Sequence, residues 1–220
     1  MENPAALIDH TLLKPDATEA QYAALCEEAV ELGFASVCLP PAFVPFAVER
    51  LYGSDVKLCT VVGFPCGYNS LHLKITETAE LAAQGAEEID MVVSIGHLLE
   101  RRFKLVEEEI AQVVLAAEKM PVKVIIECCY LDDELKRQAT ELAVKAGAAY
   151  VKTSTGFGPS GATLEDVKLL AAAAAGRIGV KAAGGIRDLD SCRQMIAAGA
   201  TRIGTSAGVQ ILTEWCKLQE

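Results

Sequence analysis

The chain has 220 residues, a formal net charge of −10 and 51% hydrophobic residues. So acidic a surface repels nucleic acid and anionic lipid and removes both from the expected partners. The length suits one α/β domain over residues 1–220; no apolar run reaches the roughly 18 residues of a membrane span, and the start, "MENPAALIDHTLLKP", lacks the basic-then-apolar order of a secretory signal.

In chain order, short apolar strands are expected at 7–12, 36–39, 57–63, 88–93, 122–127, 150–153, 178–182 and 202–204. Amphipathic helices are expected between them, at 18–32, 41–51, 71–84, 103–119, 132–146, 164–175 and 189–198, with a last short helix near Ala207. Thr18 with Gln21, Asp132 and Thr163 suit N-caps. Four segments share one plan: "AVELGFASVCLP", "LAAQGAEEIDMVV", "AVKAGAAYVKTS" and "MIAAGATRIGTS" each end a helix near a glycine and enter a strand. Gly33, Gly85, Gly147 and Gly199 fall where a helix ends in a left-handed residue. Eight alternating units imply parallel pairing by right-handed crossovers. Near-equal units without a glycine-rich first turn point to a closed, single-domain (β/α)8 TIM barrel rather than an open doubly wound sheet.

The eight cysteines sit mostly in apolar runs, as Cys38 does in "SVCLP" and Cys59 in "KLCTVV". Their spacing is neither a disulfide framework nor a metal motif, and adjacent Cys128 and Cys129 suit neither a zinc knuckle nor a redox pair. Buried thiols without a signal peptide make a reducing, cytoplasmic location the expectation. His10, His72 and His97 are scattered without ligand spacing, so no metal and no cofactor are expected.

In a barrel the reacting groups stand at the C-terminal ends of the strands. Asp9, Asp90, Glu127, Lys152 and Lys181 stand out as ionisable residues in or at the ends of expected strands. Any one alone reads as a charge reaching solvent. Two lysines and several carboxylates converging on one mouth must pair to offset their desolvation. Neighbouring lysines disfavour each other's charge, and a neutral amine attacks a carbonyl to form a Schiff base. A carboxylate such as Asp90 relays the proton. That combination suggests a Schiff-base aldolase. Three glycine-rich stretches, "STGFGPSGAT", "AAGGI" and "IGTSAG", follow the last three strands, where barrels hold phosphate on backbone N–H groups. A different lysine-dependent phosphosugar lyase, or a non-catalytic phosphosugar-binding protein, remains the alternative.

The stretches "IDHTLLKP", "VCLPP", "VVGFPCG", "EEIDMVV", "KVIIE", "YVKTSTGF", "GVKAAGGIR" and "RIGTSAG" resemble, in order from residue 7 to about 212, the deoxyribose-phosphate aldolase family. The resemblance implies a metal-free barrel that reversibly cleaves 2-deoxy-D-ribose 5-phosphate to glyceraldehyde 3-phosphate and acetaldehyde. It implies Lys152 as the Schiff-base residue and Lys181 as the group that discourages positive charge on it. Asp90 becomes the acid/base and Asp9 a further carboxylate of the pocket. Gly156, Gly184, Gly185, Gly204 and Ser206 match the phosphate-binding residues. Relatives often carry a second serine where this chain has Ala207, and some end in a tyrosine-bearing tail unlike "LTEWCKLQE". A homo-oligomer, dimer or tetramer, acting on a small phosphorylated sugar is the expectation.

Overall fold

The computed structural model describes residues 3–219. Eight strands run β1 Ile8–Thr11, β2 Ser36–Leu39, β3 Lys57–Val62, β4 Glu88–Val92, β5 Val122–Ile125, β6 Tyr150–Lys152, β7 Gly179–Ala183 and β8 Arg202–Thr205. Each pairs in parallel with the next, and β8 pairs with β1 to close the barrel. The helices are α1 Glu19–Leu32, α2 Val44–Leu51, α3 Leu71–Gln84, α4 Ile95–Leu99, α5 Phe103–Ala116, α6 Asp133–Lys145, α7 Leu164–Ala174, α8 Leu189–Ala197 and α9 Gly208–Lys217.

Local signals set these elements. The Thr18 N–H donates to the Gln21 carboxamide at 2.8 Å ahead of α1. Asp132 accepts the Leu135 N–H at 2.8 Å, and Thr163 accepts the Asp166 N–H at 3.0 Å. These side chains satisfy amides that a helix start leaves without an intrahelical partner. Gly33, Gly85, Gly147 and Gly199 all take positive φ where their helices end, as expected. Strand residues such as Val37, Ile89, Val124 and Val151 are fully buried, the burial a parallel sheet wrapped in helices requires.

The differences lie in the connections. The helix expected at 41–51 divides into a 3-10 turn, Pro41–Phe43, and α2, because Pro45 suits only the first turn of a helix. The five-residue α4 follows β4 where a loop was expected. The helix near Ala207 runs ten residues. Strand ends shift by a residue or two.

One buried ion pair pins the barrel rim. Lys74 of α3 donates to Glu109 of α5, to the Gly67 carbonyl after β3 and to the Val92 carbonyl ending β4, each at 2.7 Å. Glu109 also accepts the Ser94 N–H at 2.8 Å. Every donor of the ammonium is used, as a fully buried lysine requires. The clamp fixes the segment that follows Asp90.

Candidate active site

Strand register brings the charged residues together. Lys152 is the register partner of Lys181, Asp90 of Lys123, and Lys181 of Arg202. Lys152 and Lys181 both donate to Asp90 Oδ2, at 2.5 and 2.6 Å. Lys123 donates to Asp90 Oδ1 at 3.0 Å and reaches Glu88 at 2.6 Å. Lys181 also contacts Asp9 at 2.5 Å. Arg202 bridges Asp9 and Glu88 at 2.5 and 2.8 Å. Three carboxylates therefore face four cations inside the barrel.

The electrostatics follow from this pairing. Burial pushes the Asp90 carboxyl up, but Lys123, Lys152 and Lys181 outweigh it and hold the group well below the usual carboxylate range. Asp9 is likewise held down against burial, by Lys181, Lys123 and Arg202. Burial pushes the Lys181 ammonium down, yet Asp9 and Asp90 raise it well above an ordinary lysine. Lys123 is raised in the same way, chiefly by Asp90. Lys181 is thus a fixed positive charge beside Lys152. Cys38, Cys59 and Asp90 converge closely enough to resemble a metal-ligand set. Three ammonium groups already surround Asp90, however, and repel a further cation, so the set does not suit a metal.

Above this layer opens a cavity of about 360 Å3. Lys152 lines it, as do Gly156, Gly184, Gly185, Gly204 and Ser206. Asp9, Asp90 and Lys181 are fully buried beneath it. The loops after β6 and β7 touch backbone to backbone: a Cβ on Gly161 would lie 2.2 Å from the Gly184 carbonyl oxygen. That carbonyl accepts the Ala162 N–H at 3.0 Å, and Gly184 has φ +89°. Only glycine fits this approach. A Cβ on Gly204 would press 3.0 Å from Lys181 Cε, so this glycine gives the lysine its room. The Thr205 hydroxyl donates to the Ile186 carbonyl at 2.6 Å and ties the β8 loop to the β7 loop.

A model of the DeoC/LacD family aldolases matches residues 5–214. The chain belongs to the DeoC/LacD aldolase family. The curated deoxyribose-phosphate aldolase of Syntrophotalea carbinolica is 54% identical, over 100% of each chain. That of a Geobacillus species is 56% identical over 96% of this chain and 95% of its own. A solved structure, described as a unique tetrameric deoxyribose phosphate aldolase from Aeropyrum pernix, superposes with a TM-score of 0.91. It is 36% identical and covers 97% of this chain and 91% of that one.

As a DeoC/LacD aldolase, the protein carries two kinds of residue in its core. Lys152, Lys181 and Asp90 were visible as charges in or at the ends of apolar strands, and the structure brings them together. Asp9 joins them through Lys181 but presents no face to the cavity. Glu127 turns away: it takes φ +52°, and its carboxylate accepts the Thr155 N–H at 3.2 Å and the Thr155 hydroxyl. It shapes the β6 loop instead of joining the lysines. Sequence reasoning missed Lys123, Glu88 and Arg202. A lysine inside "PVKVII" was the available signal, because an unpaired ammonium cannot stay in such a run. Among the described residues no helix is long and apolar enough to cross a membrane.

Proposed function

We propose that this family member is a class I aldolase. It reversibly cleaves 2-deoxy-D-ribose 5-phosphate to D-glyceraldehyde 3-phosphate and acetaldehyde through a Schiff base on Lys152. One observation carries the reading: Lys152 lines the cavity while sharing a single Asp90 oxygen with the buried, charged Lys181. Lys152 has one carboxylate contact, where Lys181 has two and Lys123 three. A neutral amine at Lys152 leaves three cations matched to three carboxylates.

In the cleavage direction, the neutral amine adds to the substrate aldehyde carbon and water leaves, giving a protonated imine. The bond between the second and third carbons then breaks, and its electron pair flows into the imine. The proton of the third-carbon hydroxyl passes to a base, and glyceraldehyde 3-phosphate departs. The remaining enamine takes a proton at its terminal carbon, and water releases acetaldehyde. Asp90 is the carboxylate that handles these protons, directly or through water. Gly156, Gly184, Gly185, Gly204 and Ser206 hold the phosphate. Asp9 acts through Lys181.

The names of the curated relatives, at full length and above 50% identity, support the substrate over the two alternatives. We further read residues 1–220 as one aldolase domain, the assembly as a homo-oligomer, dimer or tetramer, and the compartment as the cytoplasm. The free, mostly buried cysteines suit that compartment. The test is product formation from deoxyribose 5-phosphate in the presence of EDTA, joined to borohydride trapping with acetaldehyde and peptide mapping. Stable labelling of Lys152 is expected. Labelling of Lys181 with Lys152 untouched overturns the assignment.

A further inference from the structure

The barrel mouth carries a charge pattern that the chemistry at Lys152 does not need. In the closed barrel β8 lies between β1 and β7, so the loop entered at Ser206 is flanked by the loops of those two strands. Each flanking loop brings one cation to the cavity: Lys14 from the β1 side and Arg187 from the β7 side. Both side chains are exposed. Among the described residues, neither has a carboxylate within ion-pair distance, although Asp16 and Asp188 are near in sequence. The Asp188 carboxylate is engaged by the Ser191 N–H at 2.8 Å. Lys14 opens a turn closed by the Ala17 N–H on its carbonyl at 3.2 Å. Pro15 occupies the second position, which proline presets. The ammonium therefore rides on a held backbone while its stem stays free. In a chain of net charge −10, two unpaired cations bracket one glycine-lined wall.

We infer that Lys14 is a specificity-determining residue whose ammonium takes the substrate's phosphate dianion from the β1 side, opposite Arg187. The inference rests on the phosphosugar reading above and adds to it a residue outside the glycine loops. Two cations match a dianion in charge. A lysine is a compact point charge on a flexible stem, able to follow the phosphate as the sugar backbone opens. A sugar with a hydroxyl in place of the phosphate gains nothing from the pair.

The experiment compares the wild type with Lys14→Gln and Lys14→Arg on deoxyribose 5-phosphate and on deoxyribose, and measures inhibition by inorganic phosphate. Lys14→Gln is expected to raise KM for the phosphorylated sugar by roughly ten- to a hundredfold, the size of one lost charge-assisted contact. Its kcat should move far less. The ratio of kcat/KM between the two sugars falls by the same factor, and inhibition by inorganic phosphate weakens in parallel. Lys14→Arg restores most of the ratio. The wild-type kcat/KM for the phosphorylated sugar declines with added salt more steeply than that of Lys14→Gln. If Lys14→Gln keeps both the wild-type ratio and the wild-type inhibition constant, Lys14 does not meet the phosphate, while the aldolase reading stands. If the wild type cleaves neither sugar, both fall together.

Discussion

Lys152 and Lys181 are register partners on neighbouring strands, and their ammonium groups end on the same oxygen of Asp90. Register partners in a parallel pair point to one side of the sheet, so adjacency of β6 and β7 alone sets the two lysines together. Asp90 comes from β4, two strands beyond β6, and the curl of the barrel brings it to them. Asp9 and Asp90 then anchor Lys181 as a permanent cation, which leaves Lys152 as the amine facing the cavity.

Lys181→Met tests that division of labour. Without the fixed charge, Lys152 no longer shares Asp90 Oδ2 with a second cation. Activity should collapse at neutral pH and recover partly on the alkaline side. A pH–rate profile checks this; an equal loss at every pH means that Lys181 takes part in the bond-making itself.

Asp90→Asn preserves shape and removes charge. Schiff base should still form with acetaldehyde, while turnover drops by a factor on the order of 10² to 10⁴. Stability should also fall, by about 3–5 kcal/mol, because a buried group of ammonium ions loses its shared partner. Calorimetry and borohydride trapping on one preparation separate the two effects. Near-normal turnover sends the proton by another route.

The same carboxylates shape stability against pH. Asp9 and Asp90 are both depressed in the fold, whereas an unfolded aspartate titrates near about 3.9. The stability they contribute is complete above that value and drains away as pH falls toward their folded values. Lys123 and Lys181 are raised, so their contribution holds below an unfolded lysine's value of about 10.4 and is lost above it. Melting temperatures should form a plateau from about pH 4 to about pH 10, with an acid limb that is shallower in Asp90→Asn. An acid limb of unchanged steepness in the variant contradicts the depressed Asp90 carboxyl.

Ser206→Asp places a carboxylate at the proposed phosphate site, where it repels the dianion at close range. Activity on deoxyribose 5-phosphate should fall steeply relative to that on deoxyribose. The ratio of the two rates cancels general damage to the fold, and an unchanged ratio moves the phosphate elsewhere.

What the residues revealed in advance, and what they hid, divides along one physical line. Lys152, Lys181 and Asp90 stand in or at the ends of apolar strands, where an ionisable group is conspicuous. Glu88 and Arg202 open their strands and Lys123 is second in its own, away from the C-terminal ends where reacting groups are sought, and Arg202 meets Glu88 across 114 positions of chain. No local window contains that partnership. Glu127 was visible for the same reason as Asp90, yet its left-handed backbone turns it onto Thr155, a rotation that a run of letters does not display. The capped helix starts were legible because a cap and its amide lie within three residues of each other. The short α4 was not, since its five residues lie within one expected loop.

Gly161→Ala would drive a methyl group into the Gly184 carbonyl. It should weaken binding of the phosphorylated sugar far more than it alters borohydride trapping of acetaldehyde at Lys152. Equal losses in both mean that the contact supports the whole barrel instead of the mouth.

That contact between Gly161 and Gly184 also bears on how a guest is received. Two loops held backbone to backbone, with a third tied on through Thr205, cannot swing independently. The cradle stands finished before any sugar arrives. Capture then requires little ordering of the protein, and little of the attraction is lost to freezing a floppy loop. Release follows the same logic in reverse: the tied loops need not part from one another for the three-carbon phosphate to leave.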